Sequence, residues 1–166
     1  VFMKGGAFLA IGVVLYRLRD TELGGVRDLD SLDGIGYRMP VAAITMSVAV
    51  LALAGVPPLA GFWGKLFIVL GAAQAGDAGV GALLALLVIA NSFLSLGYYL
   101  PLIRHLFASP DEGGVIESVQ RAPTLLALPL ALATLAMVLL GIFPALGLEI
   151  VHPAADLLGT YAGVIP

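Results

Sequence analysis

No charged residue interrupts the chain from Ala78 to Ile103 or from Ala122 to Leu148. A bilayer-spanning helix needs about 20 predominantly apolar residues, and both stretches are long enough to supply one. Lipid offers the backbone no hydrogen-bond partner, so the expected solution is a helix that closes its own bonds. Composition agrees: 60% of residues are hydrophobic and 11% charged, against roughly 25% charged in a soluble domain. The fold class this predicts is an all-α integral membrane protein, a bundle of about five transmembrane helices surrounded by membrane lipid.

The remaining apolar runs follow the same logic. Val1 to Tyr16 is shorter than a full span, and with no initiating methionine it reads as a helix cut at its start, not as a signal peptide. A polar connection from Arg17 to Arg38 follows. A second run begins at Pro40, a favoured early helix position, and proline stops or bends it at Pro57 and Pro58. The third run, Leu59 to about Ala75, begins at once, and the glycine-rich GDAGVG separates it from the run beginning at Ala78. Residues 1–148 therefore read as one transmembrane bundle of four whole spans and one partial span, and 149–166 as an interfacial tail. On that count three spans separate the arginine-bearing segments 17–38 and 104–123, which puts them on opposite faces. The basic residues weakly favour the first as cytoplasmic.

Several function classes drop out. A formal charge of −3 gives no basic surface for phosphates, so no nucleic acid is expected as a partner. The absence of cysteine removes disulfides, thiolate metal sites and cysteine-held iron–sulfur clusters. No nucleophile with its base, metal cluster or phosphate loop stands out, and GGAFLAIG is too loose for a dinucleotide site. The reading is no catalytic residue, no metal and no cofactor in this chain.

Charge placement is the sharpest functional signal. All arginines sit at boundaries or in loops, whereas Lys4 and Lys65, the two lysines, fall inside apolar segments. An ionisable side chain near the bilayer centre costs at least about 2.5 kcal/mol on insertion scales and usually faces a bundle interior or a hydrated cavity. Lysine, unlike arginine, gives up its proton readily when withdrawn from water, so proton transfer is the chemistry such a residue suits. The plain alternative is that either lysine runs its methylenes to an interface.

Around Lys65 the chain reads AGVPPLAGFWGK. Pro57 and Pro58 remove amide donors, and Gly61 and Gly64 allow a bend or a close helix approach, so one helix is either discontinuous here or ends in a tight turn. On the next run Asn91, Ser95 and Tyr98 recur at steps of four and three, with Ser92 and Tyr99 alongside. They either line a hydrated path or bond neighbouring helices. His105, beside Arg104, either relays protons at the interface or anchors the helix end. Glu149 and His152 are equally ambiguous, while Thr45 and Ser47 need do no more than bond a nearby carbonyl.

The blocks MKGGAFLAIG, RMPVAA, LALAGVPPLAGFWGK and NSFLSLGYYL, in that order, resemble the antiporter-like subunits of respiratory complex I, F420H2 dehydrogenases, membrane hydrogenases and Mrp cation/proton antiporters. The resemblance runs from Phe2 to about Pro144 and is most specific in the proline-to-lysine block. It implies the C-terminal part of a longer proton-conducting subunit, most like chain N of NADH-quinone oxidoreductase, with RMP and the proline of YYLPLI closer to the D-type member of the Mrp antiporters. By the same resemblance Lys65 matches the lysine of the family's discontinuous helix, the terminal station of its proton path, and Lys4 matches a lysine of the preceding helix in several branches. Further glutamate and lysine stations would lie upstream, and redox centres on other subunits of a respiratory or antiporter complex in a prokaryotic membrane. The segment 17–38 would then face outward. A sodium/proton antiporter subunit and a purely structural membrane-arm subunit are the rival readings.

Overall fold

The structure, a computed structural model, describes residues 2–19, 29–74, 78–109, 124–147 and 149. Among these residues every regular element is helical. Helix α1 covers Phe2–Leu18, a 3-10 turn covers Leu29–Leu32, and the one-turn α2 covers Ile35–Arg38. The longer helices are α3, Pro40–Ala54, α4, Ala60–Gln74, α5, Ala78–Leu106, and α6, Thr124–Ile142. Most of the expected tail, including His152, lies outside the described residues, as do 20–28, 75–77 and 110–123.

Local chemistry explains the boundaries. Pro40 stands at the first turn of α3, where its missing amide forfeits nothing. At the other end Gly55 takes a left-handed conformation (φ 84°). The amide of Gly55 reaches the carbonyl of Ala52 at 3.0 Å, and that of Val56 reaches Leu51 at 3.1 Å. These two bonds form a Schellman stop that satisfies two of the last free carbonyls. Prolines 101 and 129 are carried inside α5 and α6, as membrane helices tolerate when neighbours serve the freed backbone.

Helices α1, α3 and α6 pack together. At one close approach Gly6 of α1 faces Ala133 and Met137 of α6 and Thr45 of α3. Small residues let helix backbones draw close where lipid supplies no hydrophobic drive between helices. Thr45, fully buried, lies 2.8 Å from both the Val41 carbonyl and the Thr134 hydroxyl, so it ties α3 to α6 as well as bonding its own helix. Ser47 donates to Ala43 O at 2.8 Å and stays within its helix.

Two stretches, Gly79–Leu106 and Leu125–Ile142, are long and apolar enough to cross a membrane. In the most apolar window of each, only 6% and 17% of residues are buried by the rest of the chain. Phe93, Leu94 and Leu125 are among the large apolar side chains left outside. A soluble protein would bury such helices in its core; helices apolar all round and still uncovered belong in lipid or against other membrane helices.

Helix α5 runs alongside both α4 and α3. Gly81 lies against Ala72 of α4, Ser92 against Lys65 of α4, and the Leu106 carbonyl against Gly36, just ahead of α3. By rise per residue α5 extends about 43 Å and α3 and α4 about 22 Å each, so the two follow one another along a single partner. The expectation that segments 17–38 and 104–123 lie on opposite faces is therefore corrected for their described parts. Gly34 N donates to His105 O at 3.2 Å, and His105 Nδ1 lies 2.6 Å from Asp33 Oδ1. The sequence count gave α3 and α4 a full crossing each; each has 15 residues, against the roughly 20 of a typical crossing.

Candidate functional site

The stop that ends α3 leaves a carbonyl unserved. Gly55 and Val56 take up Ala52 and Leu51, but Ala54 O, at the negative end of the helix, needs a donor from elsewhere. Lys65 supplies it. Placed about a turn and a half into α4, its ammonium Nζ donates to Ala54 O at 2.6 Å and to Ser92 Oγ of α5 at 2.9 Å. Ser92 in turn donates to Val88 O of its own helix at 3.0 Å. The lysine thus joins the end of α3, the start of α4 and the middle of α5 through one nitrogen.

Glycines bring these elements close enough. A Cβ on Gly61 would run into the carbonyl of Ala52, and one on Gly55 would meet Lys65 Cδ. A Cβ on Gly141 of α6 would strike the Pro58 carbonyl, so α6 closes over the proline pair. Trp63 Nε1 donates to Gly141 O at 2.7 Å, serving a carbonyl near the end of α6. Gly64 has open space on its Cβ side and plays no such part.

Two cavities flank Lys65. One, of about 470 Å³, is bounded by the α3 end and Pro57, by Phe62 and Leu66 of α4, and by Ser92 and Leu96 of α5. The other, of about 340 Å³, lies along α4 and α5 and includes Leu84 and Asn91. Among the described residues Lys65 is the one ionisable side chain lining either. A single cationic group between two apolar hollows, held by a carbonyl and a hydroxyl, can hold or pass a proton.

The other sequence-derived candidates divide. Asn91 shares a cavity with Lys65. Ser95 bonds Asn91 O of its own helix at 2.7 Å, and Tyr98 is exposed. His105 sits at the far end of α5 against Asp33, with Asp30 Oδ1 at 3.7 Å. Lys4 is exposed on α1, and among the described residues no hydrogen bond joins it to Lys65. The sequence pattern did not mark Asp33 as the partner of His105, nor Ser92 as the partner of Lys65. The helical step selected Asn91, Ser95 and Tyr98, one position round from the serine that α4 meets.

A model of the family described as NADH:quinone oxidoreductase/Mrp antiporter, TM, matches residues 1–95, which hold Lys4, Lys65 and Ser92. The chain belongs to this family. Among curated members it is 38% identical over 160 residues to F(420)H(2) dehydrogenase subunit N of Methanosarcina mazei, covering 95% of this chain and 31% of that protein. To NADH-quinone oxidoreductase subunit N of Geobacter metallireducens it is 40% identical over 120 residues, covering 72% of this chain and 24% of the relative. A chain of respiratory complex I from Thermus thermophilus aligns with a TM-score of 0.64 at 31% identity, over 89% of this chain and 33% of that one. The Mrp complex from Dietzia sp. DQ12-45-1b gives a TM-score of 0.69 at 23% identity, over 89% of this chain and 34% of that one, a likeness of fold. The chain therefore spans about a quarter to a third of the length of these family members. Membership makes it an integral membrane protein of the complex I and Mrp antiporter-like kind.

Proposed function

We propose that this chain is part of a proton-conducting subunit of a redox-driven pump of the NADH- or F420H2-quinone oxidoreductase type, with Lys65 as a proton station. The observation that carries the reading is the lysine itself: an ionisable nitrogen in an apolar bundle, bonded to Ala54 O and Ser92 Oγ and flanked by two cavities. The names of the relatives with 38% and 40% identity favour the N-type branch. In this reading electrons and quinone are handled by other subunits, this chain holds no cofactor, and a neighbouring charge drives the proton on or off. One unit charge at 4 Å is worth about 4 kcal/mol at an effective dielectric of 20, sufficient to decide the protonation state of a lysine.

The same reading makes α3 and α4 the two halves of one interrupted crossing, broken at Pro57 and Pro58, with Lys65 at the break. It is supported by their joint run along α5 and by the meeting of Asp33 with His105 at one end of the bundle. An interrupted helix turns carbonyls and half-helix ends toward a cavity at mid-membrane, which is where a cation is wanted. Lys4 is the candidate donor on the α1 side, and Asn91, Ser95, Tyr98 and His105 the candidate path along α5.

The test is proton uptake by vesicles holding the parent complex with Lys65→Ala, with donor oxidation and assembly measured on the same sample. Loss of uptake in an assembled complex is the expected outcome; wild-type uptake leaves a structural membrane-arm role. The Mrp-like fold favours one rival, a sodium/proton antiporter subunit. Sodium-dependent proton movement without an electron donor would identify it.

A further inference from the structure

We propose that Ser92 is the positioning residue of Lys65, holding its nitrogen in both protonation states by exchanging the roles of donor and acceptor. The inference rests on the reading of Lys65 as a proton station and assigns a task to a residue outside the candidate path.

The two partners of the lysine differ in what they can offer. An ammonium has three N–H donors and no acceptor, whereas a neutral amine has a lone pair that needs a donor. Ala54 O, at 2.6 Å, can only accept, so it cannot serve that lone pair. Ser92 Oγ, at 2.9 Å, accepts from Nζ while sending its own proton to Val88 O at 3.0 Å. That second bond is dispensable, because Val88 O lies inside the continuous helix Ala78–Leu106 and already accepts from the Ser92 amide four residues on. When Lys65 gives its proton to water in a flanking cavity, the Ser92 hydroxyl rotates from Val88 O to Nζ and donates to the new lone pair. On reprotonation it rotates back. Serine keeps its own proton throughout and only reorients it.

No other side chain described around the lysine can replace it. The cavity linings otherwise offer Asn91 as the one polar side chain, and it lies on the second cavity, where no hydrogen bond joins it to Lys65. None of the linings holds an acid, a histidine or a second cation. Nor does the serine suit a purely structural part: a hydroxyl folded back on the carbonyl four residues earlier slightly weakens a helix, so alanine is well tolerated there for folding.

The experiment compares Ser92→Ala, Ser92→Thr and Lys65→Ala in the full-length subunit within its parent complex, in membrane vesicles. Donor-driven proton uptake is read per assembled complex. Ser92→Ala is expected to assemble normally and translocate roughly tenfold more slowly, the scale of one lost bond to a charged group. Ser92→Thr, which keeps a hydroxyl able to bond the same carbonyl, restores most of the rate. Wild-type uptake in Ser92→Ala, or a loss that threonine does not rescue, overturns the inference while Lys65→Ala still tests the parent reading separately. If Lys65→Ala itself pumps normally, both fall.

Discussion

Gly61 and Gly64 stand on the same turn of α4, and no feature of the sequence around them says which is needed. Their surroundings do. A Cβ on Gly61 meets the backbone of Ala52, which cannot move aside as a side chain would, whereas Gly64 looks into open space. Gly61→Ala is therefore expected to destabilise the solubilised protein by about 1–3 kcal/mol, the range of overpacking at a tight contact. Gly64→Ala is expected to be neutral or slightly stabilising, since alanine outranks glycine in a helix. Denaturation midpoints of the two variants, run side by side, check the pair. Lys65 was legible at this scale because one charge in an apolar run stands out whatever the fold. Ser92 was not, because serine is common in membrane helices and its importance comes from the residue opposite.

At the scale of the element, the end of α3 carries the most consequence. Gly55 holds φ 84° and lies against the Lys65 side chain. Gly55→Ala strains the left-handed turn by about 1–2 kcal/mol and also crowds the methylenes that place Nζ. Its effect on proton uptake should exceed its effect on thermal stability, in contrast with Gly61→Ala, and both are measured on one preparation. The end of α6 gives a simpler case. Trp63→Phe removes the indole donor to Gly141 O, and a loss of about 1 kcal/mol is expected in the same denaturation assay. The proline pair signalled a break here from sequence alone. The sequence left open whether the break lies inside one crossing or between two, because prolines report a local interruption and not the direction the chain takes afterwards.

At the scale of the whole molecule that question is tested at its two ends. Asp33 and His105 are 2.6 Å apart at their nearest side-chain atoms, although the sequence count placed their segments on opposite faces. The chain has no cysteine, so the pair Asp33→Cys and His105→Cys can be introduced on a clean background within it. Mild oxidation is expected to join them in intact membranes, and an impermeant thiol reagent to label either single variant from the same side. Labelling from opposite sides would restore two full crossings for α3 and α4 and remove the interrupted span.

What the sequence by itself determined follows from additive properties: residue hydropathy sums along a run, and the cost of a charge in lipid falls on the residue that bears it. Those sums gave the helical class, the membrane surround and the singling out of Lys65. The sharing of α5 by α3 and α4, the carbonyl that Lys65 caps and the serine that faces it were decided only by the tertiary structure. Each is a relation between residues far apart in the chain, fixed by how closely glycine and alanine let the helices approach.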